Sequence, residues 1–224
     1  MQAKSTADTL RPPLQERSRA STDRVLAATE ELLTEKLLEE VTLAEILERA
    51  GVSVGAFYAR FGNRDGLVPP LHDRYDERVA IIAGRVLDPA RWAAVSLEER
   101  VRSLVRYALT VYRRNHGLLR ALVLEWRLHP ERITDQQRQR REVFFDAIAN
   151  VLIGDGTEIN HPDPRAAARF AFLAFGAVCR ELLLQGRVAA PLPTDFGDDR
   201  ALAKELSRNV LAHLTYAGPP TPGA

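Results

Sequence analysis

The apolar positions of this chain recur at helical spacing along most of its length. One face of the first segment carries residues at this spacing: Val25, Leu26, Thr29, Leu32 and Leu33. The same three- and four-residue spacing returns around residues 101–112 and 202–214, and such spacing is typical of amphipathic helices. No run of five residues alternates between polar and β-branched or aromatic side chains, as a half-buried strand would. The pattern therefore predicts an all-α protein.

Start and stop signals divide this pattern into separate helices. Thr42–Glu45 and Ser96–Glu99 have the sequence of capping boxes, in which a hydroxyl accepts a first-turn N–H and a carboxylate reaches back. Asp163 followed by proline predicts another helix start, and Gly154 and Gly186 are typical of helix ends. The predicted helices span roughly 21–38, 43–50, 54–60, 64–87, 97–114, 117–128, 132–153, 163–185 and 198–216.

A shift in composition near residue 66 predicts two structured units. We predict a flexible arm, a compact three-helix unit, a larger helical domain and a disordered tail, at residues 1–20, 21–66, 67–216 and 217–224. The chain is 46% hydrophobic and 27% charged, which is ordinary for a globular protein and excludes a mostly disordered one. The start of the chain lacks the apolar stretch of a signal peptide.

The remaining bulk features favour a cytoplasmic protein without a membrane partner. The longest apolar run, Phe170 to Leu184, is interrupted by Arg180 and Glu181 and is too short to cross a bilayer. A single cysteine, Cys179, cannot form an internal disulfide, so no oxidising compartment is required. The net charge of +1 excludes a protein held to nucleic acid by bulk charge alone.

The segment TLAEILERAGVSVGAFYARF predicts two short helices that meet at a tight turn. Gly51 ends the first, because glycine adopts the left-handed conformation without a Cβ penalty. Phe57 and Phe61 lie four residues apart and anchor the second helix, so that Tyr58 and Arg60 point away from the core. A short helix with small residues at its start can enter a DNA major groove, about 12 Å wide. This arrangement predicts a helix-turn-helix.

The stretch AGVSVGAFYARFGNRDGL resembles the DNA-binding signature of the TetR-type family of transcriptional regulators, and the upstream RVLAATEELL resembles that family's first helix. The agreement covers about residues 24–67 and keeps the Gly-Val-Ser turn, the Gly-x-x-Tyr helix and the following phenylalanine in one register. The resemblance implies a ligand-responsive repressor that binds a pseudo-palindromic operator as a homodimer. It also implies a helical ligand-binding and dimerisation domain after the helix-turn-helix.

The same resemblance implies which residues contact DNA. They are Thr42, Ser53, Val54, Gly55, Ala56, Tyr58, Arg60 and Arg64. Thr42 caps the second helix and touches a phosphate, while the three residues after the Ser53 cap face base edges. Tyr58, Arg60 and Arg64 bind phosphate; Arg64 stands where the family usually has lysine and adds a forked donor geometry.

Three departures from the family pattern affect this prediction. The sequence EKLLEE replaces the glycine usual after the first helix, so this turn is helical or differently shaped. Leu43, Ala44 and Ala56 stand where polar residues are frequent, so readout relies on thymine methyls, DNA shape and Arg17 or Arg19. Pro69-Pro70 falls early in the fourth helix, which either starts afresh there or is kinked.

The charge of the first unit supports an alternative. Residues 1–66 hold nine lysines and arginines against eleven aspartates and glutamates, and nine minus eleven gives −2. A domain that is not basic overall counts against nucleic-acid binding, although the acids cluster at 30–48. The alternative is a helical small-molecule-binding or dimeric interaction protein that has lost DNA binding.

The resemblance also implies a pocket for an unknown small-molecule effector between the fourth and eighth helices. The aromatic and apolar residues predicted to line it are Tyr107, Val111, Trp126, Phe145 and Phe172. A basic stretch nearby is more typical of a solvated face than of an anion site: Arg127, His129, Arg132, Arg138, Arg140 and Arg141.

The last two predicted helices favour a homodimer. The eighth, RFAFLAFGAVCRELLL, is apolar nearly all round, so a partner subunit is the natural cover for one side. The stripe of the ninth helix supplies a second apolar face: Leu202, Leu206, Val210, His213 and Leu214. Together they predict a four-helix interface with two-fold symmetry.

No constellation in the sequence predicts an enzyme. The five histidines show no paired metal spacing. Gly154-Asp-Gly156 lacks both a third glycine and a preceding strand, so it is not a phosphate loop. No Ser, His and Asp set stands out, and we therefore predict no catalytic residue, metal or cofactor.

Overall fold

The structure, a computed structural model, describes residues 14–184 and 198–216. Over these ranges it contains nine α-helices and no strand. They are α1 Leu14–Leu32, α2 Leu43–Ala50, α3 Val54–Phe61, α4 Val68–Val86, α5 Leu97–Arg114, α6 His116–Leu128, α7 Asp135–Ile153, α8 Pro164–Leu184 and α9 Asp199–Thr215. The all-α prediction is confirmed. No helix in the described ranges combines the length and apolarity needed to cross a membrane.

Helix α1 is shifted toward the N-terminus relative to its prediction. It begins at Leu14, inside the predicted arm 1–20, and ends at Leu32 rather than near residue 38. Beyond Leu32 the chain turns and forms one 3₁₀ turn at Leu38–Glu40, where the Glu40 carboxylate accepts the Leu37 N–H. The turn without glycine is thus differently shaped rather than a continued helix. The rest of the predicted arm, the tail 217–224 and Gly186 lie outside the described residues.

The predicted helix caps are formed to different degrees. Thr42 and Glu45 make a complete capping box, and the Asp163 carboxylate accepts the Ala166 N–H at 2.9 Å. Ser96 accepts the Glu99 N–H, but Glu99 does not reach back; it contacts Ser103 and Arg106 instead. The box at Ser96 is therefore only half formed.

The orphan N–H of Leu97 at this helix start has a distant partner. It donates to both carboxylate oxygens of Glu158, at 2.8 and 2.9 Å. Glu158 also receives Nη2 of the buried Arg100 at 2.5 Å. The start of α5 is thus satisfied by the loop before α8, which sequence spacing does not reveal.

Two hydrophobic cores organise the helices. The first core contains Val25, Leu26, Ala28, Leu32, Leu33, Val41, Ile46, Ala50, Phe57, Leu67, Val68, Leu71, Leu118 and Leu122. The second core is built from α5, α7, α8 and α9 and the loops beside them. Because Leu71 of α4 and Leu118 and Leu122 of α6 belong to the first core, the first unit is packed against the rest of the chain rather than linked by a spacer.

The tandem prolines mark the beginning of α4. A short 3₁₀ turn at Asp65–Leu67 precedes the helix, and Val68 is its first residue. Pro69 and Pro70 then lie in the first turn, where backbone N–H groups have no intrahelical acceptor to lose. Of the two predicted outcomes, the structure shows a helix that starts afresh.

The last two helices divide their apolar surfaces differently from the prediction. The α9 stripe of Leu202, Leu206, Val210 and Leu214 is buried in the second core of the same chain, so it is not offered to a partner. Helix α8 does expose an apolar face, at Phe170, Leu173 and Val178. Cys179 is buried beside it, as predicted.

Candidate functional site

The turn between α2 and α3 is built as its sequence predicts. Gly51 has φ of 60°, the left-handed conformation that ends α2. Two residues later Ser53 caps α3, and its hydroxyl accepts the Ala56 N–H at 3.3 Å. Phe57 is fully buried and its ring lies 5.1 Å from that of Phe61, centroid to centroid. These two rings fix α3 to the first core and turn its opposite face outward.

That outward face contains the predicted reading residues. Val54 and Tyr58 are 55% and 51% exposed, and Gly55, Ala56 and Arg60 are exposed as well. Small side chains occupy the first turn, while the aromatic and the cation follow one turn later. The N-terminal turn of α3 carries no side chain larger than valine, so it is narrow enough to enter a major groove.

The other two predicted DNA contacts are engaged within the protein. The Thr42 hydroxyl donates to the Glu45 carboxylate at 2.8 Å, so a phosphate would compete for its only proton. Nη1 of Arg64 donates to the Val41 carbonyl at 3.0 Å, which fixes this guanidinium beside the start of α2. Hydrogen bonds from Lys36 and Thr42 hold the pKa of Glu45 at about 2. Arg64 retains further N–H donors for a phosphate; Thr42 is occupied by its capping role.

Some acidic residues of the first unit pair with arginines of the second. Arg74 and Arg78 of α4 pair with Glu30, at 3.5 and 2.8 Å. Arg120 of α6 pairs with Glu39 at 3.0 Å. Part of the negative count of residues 1–66 is therefore offset by arginines that follow later in the chain.

Gly55 allows the reading face to be tested without damage to the fold. A Cβ at residue 55 meets no heavy atom within 4 Å, and alanine exceeds glycine in helix propensity by about 1 kcal/mol. We expect Gly55→Ala to leave the free energy of unfolding unchanged or raise it by up to about 1 kcal/mol, measured by urea denaturation. Its affinity for operator DNA should fall about tenfold if this backbone approaches base edges. Equal operator affinity would exclude such an approach.

A cavity of about 850 Å³ lies between α4 and α7, with walls from α5, α6 and α8. Its apolar walls include Val79, Ala80, Ala83, Phe144, Phe145 and Phe172. Polar groups at its edge include Asp76, Tyr112, Arg140, Arg141 and Arg180. This volume and mixture are those of small-molecule sites, which are mostly apolar with a few orienting polar groups.

The predicted lining residues are only partly brought together. Trp126, Phe145 and Phe172 line the cavity, whereas Tyr107 and Val111 do not. On α5 it is Tyr112 that reaches the cavity. Val111 is rotated by about 100° from that face, because an α-helix turns once in 3.6 residues. The sequence established the helix but not the direction in which its faces would point.

Sequence reasoning also missed several cavity residues. Tyr75 and Asp76 of α4, Arg141 of α7 and Arg180 of α8 all contribute to the walls. Arg141 belongs to the stretch predicted to be a solvated face. One local signal was present, since Arg180 interrupts the apolar run from Phe170 to Leu184, where an arginine is unusual unless it has a partner or a task.

A buried polar junction lies at the end of the cavity nearest the first core. The amide of Gln137 donates to Asp73 Oδ1 at 3.2 Å and lies 3.1 Å from Nδ1 of the buried His72. Burial lowers the pKa of His72, and the same desolvation raises the pKa of Asp76. The His72 ring also packs edge-on against Trp126, with centroids 5.0 Å apart. The junction therefore ties α4 to α6 and α7 where α4 leaves the first core.

No group of three or more histidine, cysteine, aspartate or glutamate side chains within residues 14–184 and 198–216 is arranged to hold a metal ion.

Comparison with known families gives a match over the first unit. Residues 25–69 match the family model described as bacterial regulatory proteins, tetR family. The match begins within α1 and ends at the first turn of α4, so it includes the α2–α3 turn and the whole reading helix. Comparison with proteins of curated function gives no match.

Solved structures with the same fold extend over most of the chain. A TetR-family transcriptional regulator from Agrobacterium tumefaciens is 17% identical, with 89% of this chain and 100% of that chain covered and a TM-score of 0.60. A bacterial regulatory protein in the tetR family from Rhodococcus RHA1 is 18% identical, with 88% and 98% covered and a TM-score of 0.58. At these identities the likeness establishes the fold.

The family match and the exposed α3 together favour DNA binding despite the acidic count of residues 1–66. Proteins of this family are transcription factors and not enzymes. Residues 25–69 thus match the DNA-binding domain of the tetR family of bacterial regulatory proteins, and the chain shares the fold of solved TetR-family transcriptional regulators.

Proposed function

We propose that this protein is a ligand-responsive repressor, released from a pseudo-palindromic operator when a small molecule fills the cavity. The observation that carries the proposal is the course of α4. Val68 and Leu71, in its first turns, are buried in the first core. Asp76, Val79 and Ala83, farther along the same helix, line the cavity.

Tyr75 of α4 contacts both the first core and the cavity. Its ring packs against the first core, and it also lines the cavity. Burial raises the pKa of its phenol well above its usual range, so the side chain stays neutral. A molecule that fits only one position of α4 would shift the protein toward that position, and its unequal affinity for the two states sets the size of the effect.

The dimer in this proposal forms through α8 and α9. The exposed Phe170, Leu173 and Val178 of α8 supply the apolar part of the interface, and exposed charged residues of α9 flank it. Two-fold symmetry places two α3 helices on one face of the duplex, about 34 Å apart, to read half-sites one helical turn apart. Such a regulator acts where bacterial DNA is, in the cytoplasm.

The operator should be sought by selection from randomised duplexes at low salt. A repressor of this kind should enrich an inverted repeat, and its affinity should fall steeply with salt because phosphate contacts release counterions. Enrichment of a site without inverted-repeat symmetry would contradict binding of DNA by a two-fold dimer. The absence of any enrichment would favour the alternative, a ligand-binding helical protein that has lost DNA binding.

Arg60 gives a quantitative check on the predicted phosphate contacts. We expect Arg60→Gln to weaken binding similarly for all sequences and to reduce the slope of log affinity against log salt by about 2, one for each copy in the dimer. The control is Arg102→Gln on α5, whose exposed side chain pairs with Glu98 at 2.5 Å. Fluorescence anisotropy over a salt series measures both slopes. An unchanged slope for Arg60→Gln would remove this residue from the interface.

A further inference from the structure

Two arginines face the apolar part of the cavity from neighbouring helices. The Arg141 guanidinium lies over the Trp126 ring, with Cζ 4.3 Å from the ring centroid, and 5.7 Å from the centroid of Phe145. Cation–π contact of this kind fixes the cation without neutralising it. Burial lowers the pKa of Arg141 and the nearby Arg180 lowers it further, although an arginine remains charged near neutral pH.

Arg180, on the neighbouring helix α8, lies beside a residue without a side chain, Gly176. A Cβ at residue 176 would lie 3.2 Å from Nη1 of Arg180 and 3.6 Å from the hydroxyl of Tyr112. Glycine in a helix interior is unfavourable and calls for a packing reason. Gly176 provides one, because it leaves room for the guanidinium and the phenol side by side.

The positive charge of Arg141 and Arg180 at this end of the cavity is only weakly compensated by the carboxylates described. Among the described residues, Glu142 and Asp76 attract the Arg141 guanidinium, each less strongly than Arg180 repels it, and the Arg180 guanidinium donates to the Tyr112 hydroxyl. The carboxylate at the other end, Asp76, interacts chiefly with His72 and then with Arg140. Two like charges directed into an apolar cavity are unfavourable unless something between them is negative.

We infer, as an extension of the proposed function, that the effector is an organic acid. Arg141 and Arg180 hold its carboxylate, and Phe145 and Phe172 contact its apolar body. Guanidinium forks match carboxylate geometry and give charge-assisted hydrogen bonds about twice as strong as neutral ones. The Tyr112 hydroxyl lies within the same group and supplies a further donor to the carboxylate. The apolar body fills the space between α4 and α7.

The test compares acids with neutral molecules of the same shape. Isothermal titration of the full chain, without DNA, would use 2-naphthoate and octanoate against 2-naphthamide and octanamide, with sodium sulfate as an inorganic anion. We expect at least one acid to bind at least tenfold more tightly than its amide, and more tightly than sulfate. Equal binding of acid and amide would overturn the inference, as would tighter binding of sulfate or no binding of either acid at millimolar concentration.

Variants then assign the preference to the two arginines. Arg141→Gln and Arg180→Gln should each weaken acid binding about 10- to 100-fold and leave amide binding unchanged. Arg141→Lys keeps the charge and should retain part of the preference even if the glutamine variant folds poorly. The matched control is Arg138→Gln on the same helix, whose guanidinium donates to the Ile133 carbonyl outside the cavity. Full acid binding by both glutamine variants would overturn the assignment.

A separate measurement distinguishes the ligand class from the repressor function. The acid that binds is added to protein bound to its selected operator, and release is followed by fluorescence anisotropy. Acid binding without release would leave the ligand class standing and contradict the proposed coupling to DNA. Release by the amide as well as by the acid would contradict the ligand class and leave the coupling standing.

Discussion

Ala56→Asp should weaken operator binding at least 100-fold without destabilising the protein. Ala56 is the third residue of α3, and it is exposed on the predicted reading face. A carboxylate there is favourable for the isolated protein, because anions near a helix N-terminus gain about 0.3–1 kcal/mol from the helix dipole. Against DNA the same carboxylate would be buried unpaired beside phosphates, which costs about 3–5 kcal/mol. Stability and DNA affinity therefore change in opposite directions.

Anisotropy titration with the selected operator measures the affinity, and urea denaturation measures the free energy of unfolding. The matched control is Ala201→Asp, since Ala201 is the third residue of α9, exposed, and follows an aspartate cap as Ala56 follows a serine cap. This control adds the same charge away from α3 and should bind DNA as the unmodified protein does. An affinity within threefold of the unmodified protein for Ala56→Asp would contradict the assigned face.

Gly117→Ala should lower the free energy of unfolding by about 3 kcal/mol, a large effect for the addition of one methyl group. Gly117 is the second residue of α6, and a Cβ there would stand 2.2 Å from the carbonyl oxygen of Lys36 and 2.6 Å from that of Leu33. These are backbone atoms of the turn after α1, where Lys36 N–H donates to Leu32 and Leu33 N–H to Thr29. The turn cannot move aside as a side chain would.

The start of α6 must then withdraw from α1, and Leu118 and Leu122 would leave their places in the first core. Urea denaturation measures the loss. Gly84→Ala is the control, because a Cβ at residue 84 of α4 meets no heavy atom within 4 Å and gains helix propensity. Similar free energies of unfolding for the two variants would show that α6 and α1 do not approach as closely as described.

Structural features that depend only on residues close in sequence were predictable. The Thr42–Glu45 box, the Gly51 turn and the anchoring of α3 by Phe57 and Phe61 each depend on groups within four residues of one another. Local hydrogen bonds and side-chain spacing decide such features before the rest of the chain is placed. The exposed face of α3 follows from them, whereas the residues expected to contact DNA came from the resemblance to the TetR-type family.

Features that depend on distant partners were not predictable. Nothing near Ser96 indicates that Glu158 would satisfy Leu97 and so replace the second half of the capping box. Nothing near Glu39 in the sequence indicates its pairing with Arg120. This salt bridge offsets part of the negative charge counted for residues 1–66. The burial of the α9 stripe within its own chain is of the same kind.

The sequence by itself determined that the chain is helical, where most helices begin, and which side of α3 faces outward. Only the tertiary structure decided that Tyr112 rather than Val111 reaches the cavity, and that Arg141 and Arg180 meet there. The physical reason is that periodicity defines a helix's apolar face relative to its own axis. Its rotation and its neighbours are set by packing among helices far apart in sequence.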